Sequence, residues 1–166
     1  QVAEQGWLGA AIPEEHGGLG LGYLELCCIA EELGRAVAPV PFASTVYFFA
    51  EALLRAGTAE QKAKYLPQVV TGELIGTIAS AEQAGAVSAA NISAEVSGGK
   101  LTGVKMPVTD GVVAHHAVVL AKEGGKPTLY LVDLNGPGVT REAVNTIDRS
   151  REAARVEFKD APVERL

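Results

Sequence analysis

Hydrophobic and polar positions follow two different periods along this chain, with the change near residue 73. Between Leu21 and Gly34, apolar Leu24, Cys27, Cys28, Ile29, Ala30 and Leu33 leave Glu25, Glu31 and Glu32 on the opposite side, which predicts an amphipathic helix. On this pattern the two cysteines pack as small apolar side chains on or beside the buried stripe. Pro39 and Pro41 break the chain. Ser44 is then expected to cap a second helix carrying Val46, Phe49, Ala50, Leu53 and Leu54, with Gly57 as its stop. Phe42, Tyr47, Phe48 and Phe49 concentrate the aromatics in this stretch and are read as helix-packing core. Thr58 with Gln61 has the spacing of a capping box, so a third helix starts there. Pro67 lacks an N–H and suits only a first helical turn, which predicts a break near Tyr65 and Leu66 and a further turn ending at Gly72.

Beyond Gly72 the pattern becomes that of strands. Leu74, Ile75, Thr77 and Ile78 form a short, largely β-branched run leading into Ser80, Ala81 and Glu82. Ile92, Ala94 and Val96 alternate with polar residues, Ser97-Gly98-Gly99 makes a hairpin turn, and Leu101, Thr102 and Val104 return. A second pair runs from Val112 to Ala121 and from Thr128 to Asp133 across Glu123-Gly124-Gly125-Lys126; its nearly continuous apolar character places it centrally. Gly136-Pro137-Gly138 precedes an edge strand from Val139 to Val144, and Ala154, Val156 and Phe158 alternate with charged residues in the last one. The fold class expected is α+β: a helical segment over 1–73, then a small antiparallel β-barrel or sandwich over 74–166.

Composition narrows the function classes. The formal charge is -6 over 166 residues with no Lys/Arg run, which argues against nucleic acid, whose phosphates need a basic face. No apolar run of ~20 residues provides a membrane span and no signal-peptide pattern opens the chain, so the expectation is a cytoplasmic protein. The two cysteines are adjacent, which provides neither a CxxC metal pair nor an ordinary structural disulfide. Gly18-Leu19-Gly20-Leu21-Gly22 lacks both the preceding strand and the G-x-G-x-x-G spacing of a dinucleotide loop and is read as a turn needing positive φ. Glu14 and Glu15 are read as solvated. His16, His115 and His116 form no nucleophile–base pair and are assigned structural or exposed positions.

Several motifs in order carry a resemblance. Residues 57–82, GTAEQKAKYLPQVVTGELIGTIASAE, with Pro13 to Gly20 upstream and Lys105 to Gly111 downstream, resemble the acyl-CoA dehydrogenase family over nearly the whole chain. The resemblance implies a flavoprotein of lipid metabolism. It would remove two hydrogens from an acyl-CoA thioester, the α proton to a carboxylate and the β hydride to FAD, and pass electrons to an electron-accepting flavoprotein. The family's catalytic Glu belongs to a C-terminal helical bundle for which this sequence has no matching stretch, so no catalytic residue is named. An exposed surface left by that bundle implies a homo- or hetero-oligomer.

Two stretches correspond to the family's flavin contacts. The first reads Ser80-Ala81-Glu82-Gln83-Ala84-Gly85-Ala86-Val87-Ser88 where the family has x-T-E-P-G-x-G-S-D. Glu82 is kept, Ala81 and Gln83 replace Thr and Pro, and Val87 takes the Ser position unless Ser88 serves. The second reads Lys105-Met106-Pro107-Val108-Thr109-Asp110-Gly111 against K-x-W-I-T-N-G, keeping Thr109 and Gly111 and replacing Trp by Pro107. Ser80, Ala81, Glu82, Ser88, Pro107, Val108 and Thr109 are therefore the flavin-binding candidates, with Thr109 expected to face a cleft also lined by 80–82. Lost hydroxyl and ring contacts are each worth about 1 kcal/mol or more, which makes FAD binding weak or absent in one reading. The family's R-x-S motif corresponds to Arg149 and Ser150 displaced by one residue, or to Arg149-Ser150-Arg151 with altered spacing. Alternatives on the same fold are a flavin-poor, non-catalytic partner subunit of a heteromeric dehydrogenase, or a flavin monooxygenase.

Overall fold

The computed structural model describes residues 2–83, 85–148 and 150–166. The chain is α+β and divides into two compact units, Gln1–Ile75 and Gly76–Leu166. In the first, 3₁₀ turns at Trp7–Gly9 and Glu14–His16 precede α1 (Tyr23–Arg35), and a π-helical segment, Ala43–Ala50, runs into α2 (Glu51–Ala56) and α3 (Ala59–Thr71). The Gly-rich entry adopts positive φ at Gly17 and Gly20 and has no strand before it, so it is a turn. Its Trp7 and Leu8 pack against a core of Ala10, Leu26, Phe42 and Val46.

The capping box forms as the spacing predicts. Thr58 Oγ1 accepts from the Gln61 N–H at 3.2 Å, and the Thr58 N–H donates to Gln61 Oε1 at 2.9 Å. The break at Tyr65–Leu66 does not occur: α3 runs unbroken through Pro67. Tyr65, Leu66 and Val69 are almost fully buried. At about 1.5–3 kcal/mol for each large buried apolar side chain, their burial outweighs the ~3 kcal/mol cost of an interior proline. Ser44 is not an N-cap either. It lies one residue inside the π-helical segment with its hydroxyl donating to the Pro41 carbonyl, because the helical backbone already includes Phe42. Cys27 and Cys28 are exposed rather than buried, and so is Leu24. Leu26 is the buried residue of α1, with Ile29 and Leu33 packing partly beside it. Tyr47 meets Phe42 edge to face, with ring centroids 5.4 Å apart, while Phe48 points to solvent.

The second unit holds one eight-stranded sheet: β1 (Gly76–Ala79), β2 (Glu95–Ser97), β3 (Lys100–Thr109), β4 (His116–Glu123), β5 (Lys126–Asp133), β6 (Val139–Val144), β7 (Ala153–Pro162) and β8 (Glu164–Arg165). The order is β6-β7-β3-β2-β4-β5-β8, with β1 on β4. The hairpins β2–β3 and β4–β5 are antiparallel as their turns predict; Gly98 and Gly99, both at positive φ, make the first. The sheet is nevertheless mixed rather than antiparallel, because β1 enters parallel to β4 and β2 touches β4 in parallel. No local hydrophobic pattern carries that information. Leu74 and Ile75 precede the first strand, and β4 starts at His116, not Val112, since 110–113 form a turn. The β-unit core is Val108, Val118, Val119, Leu131, Val156 and Phe158.

Candidate functional site

Two hydrogen bonds bring the two candidate stretches together at one edge of the β unit. The Met106 N–H donates to the Ala81 carbonyl at 2.9 Å, and Thr77 Oγ1 donates to the Thr109 carbonyl at 2.6 Å. Residues 77–82 thus run antiparallel beside 105–109. The first stretch then leaves the sheet, which the chain rejoins at Glu95.

The centre of this edge is a buried ion pair. Lys105 Nζ lies 2.7 Å from Glu82 Oε1, with side-chain exposures of 0% and 8%, and Nζ also donates to the Ser80 carbonyl at 3.3 Å. Glu82 further accepts from the Ala94 N–H at 3.0 Å, the Ser93 N–H at 2.8 Å and the Ser93 hydroxyl. A carboxylate offers about four acceptor positions, and the protein fills them all. Burial by itself raises the Glu82 pKa, but Lys105, Ser93 and Ala94 together hold it down to about 2. Burial lowers the Lys105 pKa, against the opposing pull of Glu82. The Glu82 carboxylate is therefore fully engaged by protein groups and shapes the edge from within.

Beside the pair, Ser80, Ala81, Glu82 and Ser88, with Gln83, Ala86, Val87, Asn91 and Ile92, line a cleft of about 10 Å³. That space holds roughly one water molecule. Pro107, Val108 and Thr109 are not among its lining residues: Val108 is buried in the core, and Pro107 and Thr109 are exposed. Among the described residues the Thr109 hydroxyl makes no hydrogen bond, so it is available to a ligand. Ser88 is exposed and begins a short turn in which the Asn91 N–H donates to its carbonyl at 3.0 Å. Ala84 lies outside the described residues.

Asp110, Gly111, Arg141 and Arg151 fix the turn that follows Thr109. Asp110, 4% exposed with φ 55°, pairs with Arg151 through Nε at 3.0 Å and through Nη2. Its N–H donates to the Glu152 carbonyl at 2.6 Å. Gly111 is required by close approach, since a Cβ there would lie 2.9 Å from Ala154 Cβ and 3.0 Å from Val108. Arg141 donates to the carbonyls of Gly111, Val112 and Ala114 and to Asn135. An Asp-Gly pair after a strand is the local signal for the turn, with Asp110 at positive φ; its arginines lie 30 and more residues away and carry no local signature. Arg149 lies outside the described residues, while the N–H and hydroxyl of Ser150 both donate to Asp148. His16 is within 3.5 Å of Glu15, and His115 and His116 sit at the entrance to β4. Among the described residues no group of acidic, histidine and cysteine side chains could hold a metal ion.

Comparison with known proteins is consistent in both sequence and fold. Residues 1–73 match the acyl-CoA dehydrogenase N-terminal domain. The chain is 44% identical over 121 residues to the mitochondrial isovaleryl-CoA dehydrogenase of Solanum tuberosum, covering 69% of this chain and 29% of the relative. It superposes on a Tcur3481–Tcur3483 steroid ACAD variant with a TM-score of 0.88 at 38% identity, covering 99% of this chain and 46% of that one. The ChsE4–ChsE5 complex of Mycobacterium tuberculosis gives 0.84 at 30% identity, over 98% and 44%. A Bacillus anthracis acyl-CoA dehydrogenase complexed with FAD gives 0.82 at 26%, over 99% and 30%. The chain thus spans about a third of the curated relative and under half of each of these structures. With this sequence similarity and its α+β architecture, it belongs to the acyl-CoA dehydrogenase family, in the region of the N-terminal and middle domains.

Proposed function

We propose that this chain is the helical and β portion of an FAD-dependent acyl-CoA dehydrogenase, with the edge formed by 80–88 and 105–109 as its flavin seat. The observation that carries the reading is the Met106–Ala81 and Thr77–Thr109 hydrogen bonding, which presents both stretches on one edge. The donor set suits the polar rim of a flavin: the Thr109 hydroxyl is available, Ser80 is half-buried and Ser88 exposed, and a side chain at Gly85 would meet no atom within 4 Å. Bound there, FAD supplies the hydride acceptor for α,β-dehydrogenation of an acyl-CoA thioester. Thr109 donates toward the ring, Ser88 toward the cofactor's phosphates, and Glu82 keeps the loop in shape. The electron-accepting partner is a second flavoprotein. Exposed Leu19, Leu21, Tyr23 and Leu24 provide apolar surface for association with another copy or subunit. No helix among the described residues is long and apolar enough to cross a membrane, and a cytoplasmic location is proposed on the charge and composition above.

A second reading, a flavin-poor partner subunit in a heteromeric dehydrogenase, is favoured by one observation. Ala81 offers no hydroxyl and Pro107 neither a ring to stack nor an N–H, at the two places where those groups contact flavin in the family. One FAD titration separates the readings. On the first, the purified intact protein binds FAD with the visible absorbance of bound flavin, and Thr109→Val weakens binding by roughly fivefold to tenfold, the worth of one hydrogen bond. Binding indifferent to Thr109→Val removes that residue's role. No binding at all assigns the chain to the partner-subunit reading.

A further inference from the structure

Among its described residues, the loop between Glu82 and Ser93 is held from within chiefly by the 3₁₀ turn Ala89–Asn91 and by the buried Ile92 at its far end. Its described residues from Gln83 to Asn91 are all exposed, and the hydrogen bonds within it are Asn91 N–H to Ser88 and Asn91 Nδ2 to Ala86. Both of its ends meet at one carboxylate. Glu82 opens the loop and grips its far end through the Ser93 and Ala94 N–H groups and the Ser93 hydroxyl. The same carboxylate is bound to Lys105, which lies on β3 four residues before Thr109 and reaches back to the Ser80 carbonyl.

We infer that the buried Glu82–Lys105 pair, with Ser93, is a positioning clasp that fixes residues 85–92 and their Ser88 relative to Thr109. This assignment rests on the flavin reading above and adds residues that touch no cofactor. The physical case is that the carboxylate joins the two ends of a largely exposed loop, while the ammonium ties that closure to the strand bearing the second flavin stretch. A ligand spanning both stretches gains affinity when their separation is set beforehand, since ordering the loop on binding would oppose it. The pair is buried and its charges are satisfied by each other and by backbone, so neither group is available to bind substrate.

The test uses Glu82→Gln, Ser93→Ala and, as a control, Glu95→Gln, whose side chain is exposed on β2. Amide exchange over 85–92, FAD affinity and visible circular dichroism of bound flavin are measured in the intact protein at a temperature where each variant is folded. The expected result is faster exchange confined to 85–92, an FAD Kd weakened about tenfold in Glu82→Gln, the equivalent of one charge-assisted hydrogen bond, and an altered flavin dichroism. Ser93→Ala, which leaves the ion pair intact, should move all three in the same direction by a smaller factor. It carries the test by itself if Glu82→Gln does not fold. Glu95→Gln should change none. Unchanged exchange over 85–92 overturns the clasp. Faster exchange with unchanged affinity and dichroism overturns its positioning role. If the unaltered protein binds no FAD while exchange responds as expected, the flavin reading fails and the positioning role falls with it, a result distinct from both of the others.

Discussion

At the scale of single residues, the Glu82–Lys105 pair dominates the energetics of the site. Removing one partner leaves the other charge buried, so Lys105→Met should cost about 3–5 kcal/mol in urea unfolding. Replacing both together, Glu82→Leu with Lys105→Met, should recover most of that, because the desolvation penalty disappears with the charges. The pH dependence has a definite sign. Glu82 has its folded pKa depressed from 4.5 to about 2, so its contribution is fully present above pH 4.5 and is lost as pH falls through about 2. The difference corresponds to about 3 kcal/mol. In acid titrations followed by circular dichroism, Glu82→Gln should flatten the stability slope between pH 4.5 and 2 while leaving the slope near neutrality unchanged. Lys105 is depressed by burial, so the cost of keeping it charged is relieved only as pH rises toward its ordinary value of 10.5.

At the scale of elements, α3 separates local from tertiary control. Its start is set locally by the reciprocal Thr58–Gln61 bonds, so Thr58→Ala should lower stability by about 1 kcal/mol, read as a lower Tm. Its continuity is set by packing: Tyr65, Leu66 and Val69 carry the helix across Pro67. Pro67→Ala should therefore stabilise the chain by roughly 1–2 kcal/mol in urea unfolding. It restores a helical N–H and removes the ring clash, partly offset by a more flexible unfolded chain. β3 shows a similar division. Leu101 and Lys105 share one parity of the strand and both are buried, so strand alternation alone points the lysine inward. Which carboxylate meets it, 23 residues earlier in the chain, is decided by the pairing of 77–82 beside β3.

At the scale of the whole molecule, association is the property to measure. Among the exposed large apolar residues, Leu19, Leu21, Tyr23 and Leu24 are clustered in sequence, which is more than scattered single residues at a surface. Sedimentation at increasing concentration should show self-association that Leu24→Glu weakens. A monomer at all concentrations, indifferent to that change, would remove the apolar surface as an oligomer contact.

What the sequence determined by itself was local. Side-chain spacing set the capping box at Thr58, the glycine hairpin at 98–99, the alternation of β7 and the order helices-then-strands, because each depends on residues within a few positions of one another. The motif order also led to the two stretches at 80–88 and 105–109. The tertiary structure decided the rest. The parallel entry of β1 against β4 joins residues 40 apart, the Arg141 and Arg151 supports of the Thr109 turn come from strands and loops far along the chain, and Glu82 is claimed by Lys105, Ser93 and Ala94. Burial of α1 differs from its local pattern for the same reason. Its helical period shows that it has an apolar stripe, but which part of that stripe is covered depends on what packs against it, and here that is Leu26 with its neighbours rather than Leu24 and the two cysteines. Periodicity is a property of a segment, whereas burial, strand partnership and charge pairing are properties of what the rest of the chain places beside it.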